Sequence, residues 1–167
     1  MADIKNVYPA SSDLTITLAS LATSSTLVAG RESTLYDNST NLYLDVRLSG
    51  IITVGTTPTA NKQIQLWVMA ESKDGTWPDV FDGTDSDETW TKVEIRDAAA
   101  KLAHVINVVA TTSDVGYYFD AGSVAALFGG VLPRKFVVWV THETVAALNA
   151  TGGNHRISVS PNYNTAT

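Results

Sequence analysis

Four carboxylates fall within one short stretch, Asp82-Gly-Thr-Asp-Ser-Asp-Glu88, at positions 82, 85, 87 and 88. Calcium takes several hard oxygen ligands, often from a single flexible segment, so Asp82, Asp85, Asp87 and Glu88 are the candidate Ca2+ ligands of this chain. The EF-hand order is absent, because no glycine follows the third acidic position at the required offset. The plain alternative is an acidic loop left in water, where it discourages self-association. On that reading the protein has no cofactor.

Two tryptophans, Trp77 and Trp90, flank these acids. Together they suggest a platform that stacks on a sugar face while the carboxylates accept bonds from hydroxyls, or a partner surface, since tryptophan is enriched at interface hot spots. The alternative is that both rings fold back over a sheet. A second pair, Trp67 and Met69, shares one side of an extended run with Gln65, opposite Ile64, Leu66 and Val68. Large apolar residues on a face that also carries glutamine point to a second buried contact. Another layer of the same domain or a neighbouring subunit would supply it. Trp67, Met69, Trp77 and Trp90 are therefore the candidate interface residues.

His104, His142 and His155 would make a zinc site only if the fold brought them together, and His142-Glu143 lacks the HExxH spacing. Isolated histidines at strand ends are the simpler expectation. Asn38-Ser-Thr40 and Asn149-Ala-Thr151 match the glycosylation sequon but read as turns. There is no Gly-rich phosphate loop and no catalytic grouping, so no catalytic residue is assigned and an enzyme is not expected.

The elements that must position these residues are strands. Leu132-Pro-Arg-Lys-Phe-Val-Val-Trp-Val-Thr-His142 is β-branched and aromatic, with Pro133 placed before the run, where a missing donor does least harm. The segment from Asn154 to Tyr163 alternates, and with the turn-rich Asn149-Ala-Thr-Gly-Gly-Asn154 between them the two read as an antiparallel pair with one wet face. Leu42, Leu44, Val46 and Leu48 alternate with Tyr43, Asp45 and Arg47, and Leu44, Val46, Leu66, Val68, Val138, Val140 and Ile157 are expected to point inward between two sheets. Gly50 suggests a bulge. Gln63 to Ala70, His104 to Ala110 and Val115 to Phe119 are further strands, the last at an edge. Asp13 to Leu27 fits strand or helix, and its Thr and Ser content favours strand. Arg96 to Lys101 reads as one helical turn. Ser123 to Phe128, stopped by Gly129-Gly130, reads as another. Lys73 to Thr91 is a long loop, of the length that is usually functional or mobile.

These strands predict an all-β, single-domain β-sandwich, jelly-roll-like, with one or two short helical turns. Residues 1–13 form an N-terminal arm or edge segment, and residues 14–167 form the domain, carrying a long acidic loop at 71–94. The chain of 167 residues is long enough to bury a core without staples, and it has no cysteine. Its net charge of −6 resides wholly between Glu71 and Glu94, and the rest is neutral. A neutral body with one acidic loop is a poor ligand for nucleic acid. No apolar run approaches a membrane span. The start, Met1-Ala-Asp-Ile-Lys-Asn, lacks the order of a signal peptide, which leads us to expect a soluble protein made without export.

Several turn and strand stretches resemble a group of small tailed-bacteriophage virion proteins. They are Asp37-Asn-Ser-Thr-Asn-Leu-Tyr-Leu, Pro58-Thr-Ala, Ile64-Gln-Leu-Trp-Val-Met, Glu71-Ser-Lys-Asp-Gly-Thr-Trp, Leu132-Pro-Arg-Lys-Phe-Val-Val-Trp-Val, Ala147-Leu-Asn-Ala-Thr-Gly-Gly-Asn-His and Pro161-Asn-Tyr. They cover most of residues 37–163. The resemblance implies a structural subunit of the head-decoration, collar or tail accessory class. It would be made in the bacterial cytoplasm and located in the virion, docking as a homo-oligomer, dimer or trimer, on other virion proteins. It brings no active-site residues. The competing expectation is a carbohydrate-binding jelly-roll module built on Trp77, Trp90 and the acids between them.

Overall fold

Alternation of apolar and polar side chains sets the strands. In the computed structural model, which describes residues 3–166, they assemble into two antiparallel sheets packed face to face. One sheet runs in the order β1 (Ile4–Val7), β11 (Arg156–Ala166), β5 (Asp45–Thr53), β9 (Gly116–Ser123), with β2 (Ser12–Asp13) also on β11. The other runs β7 (Asp87–Thr89), β3 (Ala29–Glu32), β10 (Lys135–His142), β6 (Lys62–Ala70), β8 (Lys101–Val108), with β4 (Tyr36–Asp37) also on β10. Val46, Leu48, Ile52, Ile157 and Val159 from the first sheet meet Ile64, Leu66, Val68, Phe136, Val138 and Val140 from the second. Full burial of each such side chain is worth about 1.5–3 kcal/mol. The all-β sandwich expected from the sequence is the fold observed. No helix among the described residues is long and apolar enough to cross a membrane.

Residues 4–13 form the outer edge of the five-stranded sheet, Ile4 facing Ala166 and Val7 facing Tyr163. Residues 14–27 form neither a ladder strand nor a helix. They run extended from sheet to sheet: the Leu14 amide donates to Ile157 O, and Thr34 donates its amide to Thr15 O. Leu18 and Leu21 turn into the core on the way. Two short helices are present. α1 (Val93–Ala99) starts three residues before the expected turn at Arg96 and ends before Lys101, which opens β8, whereas α2 (Val124–Leu127) lies within the expected segment and starts at Ser123, whose Oγ accepts the Ala126 amide at 3.0 Å. α2 ends at Gly129 and Gly130, both at positive φ.

Three expectations are corrected. β10 and β11 do not pair with each other. β10 has β6 on one side and β3 with β4 on the other, so no edge is open to β11, which pairs with β5, β1 and β2. The linker between them crosses from sheet to sheet, tied by Leu148 N to Leu21 O at 3.0 Å and Asn149 N to Thr53 O at 3.1 Å. The bulge near Gly50 lies in the partner strand, where Ala121 is the extra residue between the pairs Leu48–Gly122 and Ser49–Asp120. Gly50 serves another purpose: a Cβ there would collide with Arg156 O. Finally, Leu44 was expected inside with Val46 and is 51% exposed. It precedes the first residue of β5, at a point where the parity is kept but the opposite sheet no longer covers it.

Candidate functional site

The central strands β6 and β10 of the six-stranded sheet are covered on both faces. On the side turned away from the core, Trp67 and Met69 of β6 and Val137 and Trp139 of β10 form a second cluster, capped by Phe81 and Trp90 from the loop after β6. Phe81 lies 4.6 Å from Trp90 between ring centroids, and both rings meet Trp139 edge-on, at 6.2 and 6.1 Å. α1 completes the cover. The Arg96 guanidinium sits 4.7 Å over the Trp67 ring while Nη1 donates to Leu27 O at 2.6 Å. Gln65 shares this face because its Oε1 accepts the Trp67 indole N–H at 3.1 Å.

This placement corrects the interface expectation for three residues. Trp67, Met69 and Trp90 are buried by the chain's own loop and helix, and Trp77 packs, half-buried, against the same cluster. The layer covering Trp67 and Met69 belongs to the same domain. Trp90, 2% exposed, offers no face to a sugar, so the two tryptophans do not make a stacking platform.

Glu32 holds the acidic loop against the sheet. It stands opposite Trp139 on the β3–β10 ladder and is fully buried. Its Oε1 accepts the backbone N–H groups of Gly83 at 3.0 Å, Thr84 at 3.2 Å and Asp82 at 3.3 Å, and the Ser86 hydroxyl at 3.0 Å. Its Oε2 has no hydrogen-bond donor. Burial beside the indole, and then contact with the Asp82 carboxyl, raise the Glu32 carboxyl to about 7. Asp82 is held low, first by the Thr84 hydroxyl and then by Glu32.

The four candidate calcium ligands separate into two groups. Arg31 takes Asp85 at 2.9 Å and Asp87 at 3.1 Å. Burial pushes Asp85 up, but Arg31 and the Thr17 amide and hydroxyl outweigh it and keep it ionised. Asp82 and Glu88 instead gather with Glu32, one carboxylate oxygen from each residue lying within 4.8 Å of the others. Nothing in the spacing of the sequence links residue 32 to residues 82 and 88. The link is made by β7 pairing with β3, Glu88 beside Gly30 and Asp87 beside Arg31.

The histidines stay apart. His142 is buried, its Nε2 3.0 Å from Leu21 O and its Nδ1 2.9 Å from the Thr144 hydroxyl. His155 lies 2.8 Å from Asn149 O, and His104 packs on Phe119. Burial lowers His142 and His155, so both are neutral. The sequon asparagines work as turn locks: Asn38 accepts the Tyr43 amide and donates to Tyr43 O, and Asn149 accepts the Thr151 amide.

A second feature lies at the end of the sandwich where β5 begins. Leu42 is 71% exposed, Leu44 51% and Val131 71%. The turn at Asn38 ties the chain at Leu42 to the chain that follows Val131: its carbonyl accepts the Leu42 amide, its amide donates to Arg134 O, and its side chain holds Tyr43. Beside this apolar end, residues 163–166 of β11 run on past β5 and pair with β1 alone, with Ile4 exposed near the tip of the ribbon. Sequence reasoning placed Leu44 inside and assigned no role to Leu42 or Val131. Comparison with protein-family models and with curated proteins found no match to this chain.

Proposed function

We propose that this protein is a non-enzymatic structural subunit that associates with copies of itself and docks on a larger particle, in the class of the tailed-bacteriophage virion proteins its turns and strands resemble. The observation that carries this reading is the apolar end formed by Leu42, Leu44 and Val131 beside the β1 edge. Scattered exposed apolar residues are ordinary, but three next to an unpaired sheet edge make a surface suited to closure by a second copy. Pairing β1 with β1 of another copy would satisfy that edge, and the leucines would be covered in the same step. The neutral charge of the body outside residues 71–94 favours such an approach, since like copies meet without net repulsion.

Light scattering of the purified protein at micromolar concentration tests this. The expected mass is a multiple of 17.8 kDa, falling to the single-chain value for Leu44→Glu with the melting temperature unchanged. A wild-type protein that stays monomeric through the micromolar range would refute self-association. Mass spectrometry of purified phage particles tests the location.

A further inference from the structure

We infer that Glu32, Asp82 and Glu88 form a binding site for a hard divalent cation of the Ca2+ type, which clamps the acidic loop to the outer face of the six-stranded sheet. Two observations carry this independently. The first is convergence: oxygens from the three carboxylates lie within 4.8 Å of one another. Two oxygens bound to one Ca2+ at about 2.3–2.6 Å each can span that separation. The second is the unpartnered Oε2 of Glu32, on a side chain with no exposed surface. A buried carboxylate oxygen without a donor is costly, and a cation is the partner that neutralises it most completely.

The rest of the charge pattern agrees. Arg31 is spent on Asp85 and Asp87, and among the described residues no salt bridge reaches Glu32, Asp82 or Glu88. Asp82 Oδ1 takes the Thr84 amide and hydroxyl, and Glu88 Oε1 takes the Ser86 hydroxyl, so each uses one oxygen to fix its orientation. The ligands come from β3, the loop and β7, three segments far apart in sequence. A cation here therefore cross-links them.

The test uses the full chain freed of metal with a chelator, at mildly alkaline pH. Adding about 5 mM Ca2+ should raise the melting temperature by roughly 4 °C or more. Calorimetric titration should show one Ca2+ per chain. Glu32→Gln and Glu88→Gln should each reduce the thermal shift at least fivefold, while Asp87→Asn, which changes an exposed acid held by Arg31, should keep it. Glu32→Gln retains the acceptor for the loop amides, so it should fold, with a metal-free melting temperature no lower than that of the wild type. Tb3+ offers a second readout: bound beside Trp139, it should emit under tryptophan excitation and be displaced by Ca2+. Absence of both the thermal shift and the Tb3+ signal in the wild type would overturn the inference. An undiminished shift in Glu32→Gln, or a loss in Asp87→Asn equal to that in Glu88→Gln, would do the same.

Discussion

Trp139 and Trp67 stand directly opposite each other on the ladder between β10 and β6, on the side of the sheet turned away from the core. Each is nearly or wholly buried, though neither belongs to the main cluster between the sheets. The loop between β6 and β7, with Trp90 and α1, thus acts as a third layer over part of the sandwich.

Trp67→Ala therefore tests the layer. It removes a ring that supports Arg96, Met69 and the docked loop, and the expected cost is about 3–5 kcal/mol of folding stability, read from urea denaturation. A loss below about 0.5 kcal/mol, the range of ordinary surface changes, would show that the ring is not core.

The main core gives a second contrast. Val138→Ala leaves a partial cavity in a fully buried position and should cost about 1–3 kcal/mol. Ser158→Ala removes one exposed hydrogen bond, from Oγ to Asp13 Oδ1 at 2.6 Å, and should cost less than about 1 kcal/mol. The reverse ranking would mean that β11 is shifted by one residue, which would exchange its two faces.

Much of this was legible because strands announce themselves by period two. Leu44, Val46, Leu66, Val68, Val138, Val140 and Ile157 were assigned inward from alternation, and all but Leu44 are fully buried. Alternation says which residues share a face, however, not what covers it. Trp67 and Met69 were placed on the outer face correctly, but their cover lies in residues 81, 90 and 96, whose positions depend on a loop with no period to read. Leu44 failed for the same reason: parity continues past the place where the opposite sheet ends. Glu32 was invisible because its partners lie some fifty positions away and meet it only through the β3–β7 pairing.

The Glu32 carboxyl makes a pH prediction of definite sign. Its value in the folded protein is raised to about 7, by burial first and Asp82 second. The native state therefore holds a proton that the unfolded chain releases near about pH 4.3. The stability this group contributes is complete below that lower value and is lost as pH rises through about 7. The lowered His142 and His155 act oppositely, their contribution being lost on acidification. Glu32→Gln removes the first effect and leaves the second. In chelator, the melting temperature of the wild type minus that of Glu32→Gln should fall as pH goes from about 5 to about 8. A difference that stays flat or rises contradicts this assignment.

The loop is not uniformly anchored. Phe81 and Trp90 are buried, whereas residues 72–76 are exposed and held mainly by Arg134 on Glu71 and Asp74. Brief treatment with trypsin should cut first after Lys73 and spare Lys62 and Lys135 within the sheet, as peptide mapping will show. Early cleavage at Lys62 or Lys135 would contradict the protection assigned to β6 and β10.

The separation of β10 and β11 into different sheets shapes how the chain can fold as it is made. β10 follows nine earlier strands in the sequence and β11 follows ten, and each has neighbours on both sides: β3, β4 and β6 for one, β1, β2 and β5 for the other. A nascent chain that has emerged only as far as β9 lacks the inner strand of both sheets. Ile64 and Leu66, and Trp67 and Met69 on the opposite face, then have no β10 beside them. Closure must wait for pairings between the first and last strands, a long-range topology that folds in milliseconds to seconds rather than microseconds. During synthesis the uncovered β6 edge is therefore the stretch most open to wrong pairings until β10 arrives.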